Sequence, residues 1–282
     1  MAQLFADLDD LLIREIYSHG YPEEMCVLRE VCGRFAAVIS PPVKYVPNNL
    51  LCEAAENGQI RRCVIAKERG AGSFNWMLQY AARGGCREIC ALAKEWGATD
   101  FQMMIYFAAC GGHAELCVLA KEWGATAFNE MLGGAAQSGN AELCLLAKEW
   151  GARYFEMMLS SAAQSGQESI CRLAKEWLSE ARRRLDTSGE ASTTSLKDAT
   201  DFNGMLYFAA VGGQSAICHL AKEWGATNFN SALSAAAFYK HTNICILAKN
   251  WGATDFNRMR ELAIICKNHA IRELAEKWQA NN

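Results

Sequence analysis

Residues Gly97 to Trp123 read GATDFQMMIYFAACGGHAELCVLAKEW, and residues Gly124 to Trp150 read GATAFNEMLGGAAQSGNAELCLLAKEW. One stretch is a copy of the other, and the copying continues along most of the chain. Trp96, Trp123, Trp150, Trp177, Trp224, Trp251 and Trp278 recur at 27-residue steps, with one step of 47, which is 27 plus 20. A fixed period of this size marks a repeat array. The 282 residues divide into a leading segment at 1–42, eight repeats over 43–278 interrupted by an insertion at 178–197, and a tail at 279–282. The first copy, Val43–Arg69, has Arg69 in the Trp place, and the last, Gly252–Trp278, has Arg272 in the Cys place. Terminal repeats diverge in this way because one of their faces meets water.

Inside a repeat, Phe101, Met104, Ile105, Ala108 and Ala109 fall at i, i+3, i+4, i+7 and i+8, a helical stripe that stops at Gly111-Gly112. Leu116, Cys117, Leu119, Ala120 and Trp123 resume the helical spacing, and Gly124 follows as a left-handed cap. A hairpin this small cannot bury its own apolar stripe, so each must stack on the next, which predicts an all-α, helical-hairpin solenoid in the form of a curved rod. Proline agrees, since none follows Pro47. The insertion opens with SEARRRL, which prolongs the preceding helix, and continues as TSGEASTTS, which cannot build a core.

The composition, 51% hydrophobic and 21% charged, is that of a folding chain. A net charge of −3 argues against a nucleic-acid partner. No apolar run is long enough to span a bilayer, and Met1–Asp10 is acidic where a secretory signal is basic, so a cytoplasmic protein is expected, without a membrane partner.

The pattern AAxxGHxELCxLAKExGA resembles the ankyrin consensus, and the match covers Val43 to Trp278. The resemblance implies an ankyrin-like protein-binding solenoid. An ankyrin unit has about 33 residues, so in these shorter repeats the β-hairpin finger is expected to shrink to a turn. Shortened units of the GATxFNxML type resemble those of large DNA viruses, which implies a viral source acting in a host cytoplasm, nucleus or virion.

Seven of the thirteen cysteines, Cys63, Cys90, Cys117, Cys144, Cys171, Cys218 and Cys245, share one repeat position. Stacked helices lie roughly 8–10 Å apart, too far for disulfides, and a small buried hydrophobe is the expected role. A zinc site from Cys86, Cys90, His113 and Cys117 has the right ligand types, but zinc–sulfur bonds demand closer convergence than stacking permits. The other repeats place Asn140, Gln167 and Gln214 at the Cys86/His113 position, where polar groups are expected to satisfy open amides of the second helix. The tryptophans are expected to close each second helix against the next repeat, and the Lys-Glu of AKEW to be a solvated edge. No nucleophile with its base, no paired carboxylates and no phosphate loop stands outside the repeat pattern, so neither an enzyme nor a cofactor is expected.

A partner would be read by positions that vary between repeats while staying exposed. Three registers on the first helices qualify. One holds Trp76, Met103, Glu130, Met157, Gly204, Ser231 and Arg258; the next holds Gln79, Tyr106, Gly133, Ser160, Tyr207, Ser234 and Glu261. The third holds Arg83, Cys110, Gln137, Gln164, Val211 and Phe238. Their spacing puts them on one helical face. Trp76, Tyr106, Tyr207 and Phe238 are the candidate anchors, with Gln79, Arg83, Met103, Glu130, Gln137 and Gln164 around them. Tyr80, Phe107 and Phe208 align with an ankyrin core leucine and are expected to be buried.

The leading segment reads as short amphipathic helices and resembles an F-box, the module that docks on the Skp-type adaptor of cullin ubiquitin ligases. Leu8 falls on the opening leucine, Leu12 and Ile13 on the apolar pair, Ile16 on the isoleucine and Pro22 on the mid-motif proline. Met25 and Leu28 fall on leucines, Val31-Cys32 on the VC pair and Phe35 on the tryptophan; Asp9 and Gly20 depart from the pattern. The resemblance implies a substrate receptor that carries an unknown target protein to a ubiquitin ligase. The alternative is a structural or inhibitory binding rod whose leading helices only cap the stack.

Overall fold

The computed structural model describes residues 47–188 and 202–280. The candidate adaptor-docking residues, Leu8 through Phe35, lie outside them, as do residues 189–201. The chain forms two compact blocks, Met1–Thr99 and Asp100–Asn282. Among the described residues there are sixteen α-helices and no strand. The first block holds α1 (Pro47–Glu56), α2 (Ile60–Glu68), α3 (Phe74–Arg83) and α4 (Arg87–Glu95). The second holds α5 (Phe101–Cys110), α6 (Ala114–Glu122), α7 (Phe128–Ser138), α8 (Ala141–Glu149), α9 (Phe155–Ser165) and α10 (Glu168–Ser188). It continues with α11 (Asn203–Val211), α12 (Ser215–Glu223), α13 (Phe229–Phe238), α14 (Thr242–Asn250), α15 (Phe256–Ile265) and α16 (His269–Ala280). The fold is the expected stack of helical hairpins, with a turn in place of a β-finger.

The hairpins form because both of their turns are punctuated. At the end of α6, the Gly124 N–H donates to Lys121 O (2.9 Å) and the Ala125 N–H to Ala120 O (2.9 Å), a Schellman closure that Gly124 permits with φ +102. The following alanine is buried every time, as at Ala98, Ala125, Ala152, Ala226 and Ala253. This explains why Trp-Gly-Ala recurs at five of the repeat boundaries. Asp100, Asn228 and Asp255 cap first helices by accepting the N–H three residues on.

Within the second block, α5, α7, α9, α11, α13 and α15 pack each on the next, while the second helices mainly touch their own partner. Residue size explains the difference. Ala108, Ala109, Ala135, Ala136, Ala162, Ala163, Ala209, Ala210, Ala236 and Ala237 line the contacts between first helices, all inaccessible to solvent. Approach is close at Gly134, where an added Cβ would lie 2.6 Å from the Tyr106 carbonyl oxygen and 3.1 Å from the Cys110 nitrogen, and closer still at Gly212, just past α11, where it would meet the Gln164 carbonyl. The stack of α9 on α11 spans the insertion, whose first residues, from Leu178 to Ser188, prolong α10.

Loops without a finger need another tie, and a side-chain amide near the start of most first helices supplies it; α9, which precedes the insertion, carries Glu156 there instead. Asn48 Oδ1 accepts the N–H groups of Gly72 (3.1 Å) and Ser73 (3.2 Å) in the first block. In the second, Gln102 Oε1 accepts from Thr126 and Ala127, both at 2.9 Å. Asn129 accepts from Arg153 and Tyr154, Asn203 from Thr227 and Asn228, and Asn230 from Thr254 (2.8 Å) and Asp255 (3.0 Å). Each amide thus fixes the entry to the next hairpin.

The tryptophans close the stack in the opposite direction to that expected from the sequence. Each packs against the phenylalanine at the start of its own hairpin, edge-on as in Phe101–Trp123 (5.4 Å) and Phe128–Trp150 (5.5 Å), or tilted as in Phe229–Trp251. The lysine of the preceding repeat lies over its ring: Lys67 over Trp96 at 4.2 Å, Lys121 over Trp150 at 4.1 Å, Lys148 over Trp177 at 4.2 Å and Lys175 over Trp224 at 4.1 Å. The Lys-Glu edge is exposed or half-exposed, as expected, and its lysines add inter-repeat cation–π contacts that the sequence did not announce. At partly exposed sites each is worth about 0.5–1 kcal/mol.

Two variants test this account. Gly134→Ala gains about 1 kcal/mol of helix propensity but forces two first helices apart, so it should lower stability in urea by about 1–3 kcal/mol; a gain would refute the close contact. Asn230→Ala removes the acceptor for two loop amides and should lose about 1–2 kcal/mol without loss of helical circular dichroism.

Candidate protein-interaction face

The exposed positions that vary in character between repeats lie along the first helices. In the first block, Trp76 on α3 is 57% exposed, Gln79 is half-buried, and Arg83 is exposed with its guanidinium 3.5 Å from the Glu56 carboxylate. In the second block, Met103 and Tyr106 are half-buried, and Glu130, Gln137, Gln164, Tyr207 and Phe238 are exposed. The Tyr106 hydroxyl donates to Gln137 Oε1 (3.4 Å), and the Cys110 thiol donates to the same oxygen (3.5 Å). The second and third registers therefore meet across neighbouring hairpins, joining Tyr106, Cys110 and Gln137 into one polar cluster.

Some expectations need correction. Gly133 is buried rather than exposed, with the Met157 methyl 3.4 Å from where its Cβ would sit. Tyr80, Phe107 and Phe208 are half-buried, not core. The apolar stripe is already filled by Met104, Ile105, Ala108 and Ala109, and position 107 sits at its edge. Phe107 and Phe208 instead brace the exposed anchors, edge-on to Tyr106 and Tyr207, each at 5.3 Å.

The residue ahead of each second helix also does something other than expected in most repeats. Asn140 does cap, accepting the Leu143 N–H at 3.0 Å. Gln214 Nε2 instead donates to Gly212 O (3.0 Å), and His241 Nε2 bonds Val211 O (3.0 Å) on the preceding hairpin. The Cys86 thiol likewise reaches Glu56 O at 3.8 Å. Asn268, like Asn140, caps by accepting the Ile271 N–H at 3.2 Å, whereas in the hairpins of Cys86, Gln214 and His241 the position serves carbonyls near the helix ends. Sequence reasoning missed it, and missed the amide ladder, although a recurrent Asn at one exposed-looking position was the available signal.

No three His, Cys, Asp or Glu side chains among the described residues are grouped to hold a metal ion, and the described cysteines are free thiols. Burial pushes the Cys63 thiol up to about 11, helped by the neighbouring Cys86 and Cys52. Burial pushes Cys90, Cys117, Cys144, Cys171, Cys218 and Cys245 up to about 12. Such thiols are inert at neutral pH. The basic cluster of the insertion sits on α10, where Arg184 pairs with Glu180 at 2.6 Å and, with Lys148, holds that carboxyl below its usual range. No helix among the described residues is long and apolar enough to cross a membrane.

An all-helical stack of hairpins with a variable first-helix face is the class of protein that these features define. No protein-family model and no curated protein matches the sequence. Among solved structures the chain is similar to the human ASB11 ankyrin repeat domain, at 19% identity over 70% of this chain and 96% of that one, with a TM-score of 0.37.

The thiol ladder gives a pH dependence. In the unfolded chain a cysteine ionises near about 8.5, whereas in the fold it does so only at about 11 or 12. Between those values the native state holds more protons, so stability falls as pH rises, by about 1.4 kcal/mol per pH unit for each thiol. Urea midpoints should fall steeply from pH 8 to about 10, and Cys117→Ala should make the slope shallower by one thiol's share. A flat profile would contradict the burial of the ladder.

Proposed function

We propose that the chain is a protein-recognition scaffold that grips a partner polypeptide on its first-helix faces and performs no bond chemistry itself. The observation that carries this is the contrast along those helices. Ala-Ala pairs, Trp-Gly-Ala closures and amide ties repeat, while the neighbouring exposed positions run through Trp76, Glu130, Gln137, Gln164, Tyr207 and Phe238. Constant residues build the stack, and varied exposed ones, with aromatics among them, are what specific recognition uses.

In its finer form, the proposal makes the chain a substrate receptor. The F-box-like segment at 1–42 docks a Skp-type adaptor through Leu8, Leu12, Ile13, Ile16, Pro22, Met25, Leu28, Val31 and Phe35, and the repeats hold the target near the ubiquitin-transferring machinery. The support is the register of those residues in the sequence. The effect is one of proximity, raising the local concentration of target lysines.

Two measurements decide between levels. A photo-crosslinking amino acid at Gln137 or Gln164 should capture a partner in cells, whereas the same group at Leu145, exposed on the second helix α8, should capture far less. Equal capture would remove the first-helix face as the recognition surface. Separately, a Skp-type adaptor should be recovered with the wild-type chain and lost with Leu8→Asp or Val31→Asp while the helical circular dichroism is kept. A folded chain that recovers no adaptor leaves the binding scaffold but ends the ubiquitin-ligase reading.

A further inference from the structure

The recognition face of the second block changes character part-way along. Near the end of the first helices, α5, α7 and α9 carry Cys110, Gln137 and Gln164, whereas α11, α13 and α15 carry Val211, Phe238 and Ile265. Phe238 is 42% and Ile265 65% exposed. Tyr239, 47% exposed, follows Phe238 with its ring edge-on at 5.1 Å. Tyr207, also exposed, occupies the place relative to Phe238 that Tyr106 occupies relative to Gln137. Four large apolar side chains thus stand in water on three successive hairpins, a concentration that marks a binding surface.

A second observation concerns the turn beside this patch. Gly112, Gly139, Gly166 and Gly213 occupy it in earlier hairpins with φ between +73 and +79. The two hairpins that carry Phe238 and Ile265 place Lys240 (φ +68) and Lys267 (φ +52) there instead. An L-residue in this conformation is strained, and both exceptions put a cation next to the apolar patch. Lys240 also borders a depression of about 290 Å³ with Gly213, His241 and Asn243. Glu261, the nearby carboxylate in the second register, is paired with Arg258 at 3.1 Å. A positive edge on a chain of net charge −3 calls for negative charge in the partner.

Building on the recognition face proposed above, we propose that this corner of the second block docks an acidic, amphipathic protein segment. Its apolar side chains pack on Tyr207, Phe238, Tyr239 and Ile265, and its carboxylates meet Lys240 and Lys267.

The test uses the full chain and fluorescence anisotropy with a labelled peptide of Leu, Phe and Glu, helical in its apolar spacing. The same peptide with every Glu replaced by Lys, and one with Leu and Phe replaced by Ser, are the controls. The acidic apolar peptide should bind, weaken with salt, and lose about tenfold in affinity with Phe238→Ser. Lys240→Gly combined with Lys267→Gly should also weaken binding while leaving the melting temperature unchanged or raised, since glycine suits that backbone. This separates lost recognition from lost folding. Absence of binding, equal binding of the Lys peptide, or indifference to both sets of variants would overturn the proposal, as would Phe238-dependent self-association in sedimentation, which assigns the patch to a second copy. If crosslinks from Gln137 or Gln164 persist through such a failure, the recognition face stands and only this assignment falls.

Discussion

The contact between successive first helices is what everything else in each block rests on. A helix of ten residues has too few internal hydrogen bonds to persist alone in water, so its stability must come from the face that it buries. Here that face is narrow. Two adjacent alanines in every first helix but the last, α15, and Gly134 in α7, let the backbones come close, and Met104, Ile105, Met131 and Leu132 fill the layer behind them. Small residues at the contact and larger ones behind give dense packing without a bulky interlock. They also leave the second helices apart, which makes room for the lysine and tryptophan that bridge them.

The shortened loop follows from the same economy. With no finger to pair with its neighbour, each loop between hairpins would leave two backbone amides without an intramolecular acceptor. At most of these loops one Asn or Gln accepts both, from the first helix before, so the loop needs no strand. An amide side chain suits the task because its oxygen has two acceptor sites and no charge to desolvate. Lateral packing by alanine and longitudinal ties by amides act at different places on the helix, and neither restricts the positions between them.

How much of this was legible in the sequence depended on whether a local rule was enough. The stripe of Phe101, Met104, Ile105, Ala108 and Ala109, the glycine closures and the prolonged helix into Arg184 are local matters, and helical spacing gives them directly. The direction of Trp123 and its equivalents was not local. Spacing says which side of a helix is apolar but not which neighbour it meets, and only the three-dimensional stack turns each tryptophan back toward the previous lysine. Phe107 and Phe208 misled for a related reason, because alignment with the core leucine of a longer repeat ignores how little volume an alanine-lined contact leaves to fill. His241 and Gln214 look like caps by position, yet a carbonyl at the end of a first helix takes their hydrogen bond.

These constraints also explain why variation collects where it does. On a first helix, the stripe is fixed by packing, the second position by the amide tie, and the last glycine by its backbone conformation in most hairpins. On a second helix, the cysteine is fixed by a site fully enclosed from solvent, and the lysine and tryptophan by each other. What remains on the first helix is the flank carrying positions such as Glu130, Gly133 and Gln137, and even there Gly133 is held by the Met157 side chain. A substitution on that flank changes the surface without disturbing a neighbour's core, so the chemistry displayed can shift from the amides of Gln137 and Gln164 to the hydrocarbon of Phe238 and Ile265 while the stack beneath stays the same. Recognition and folding are thereby assigned to different atoms of the same ten-residue helix.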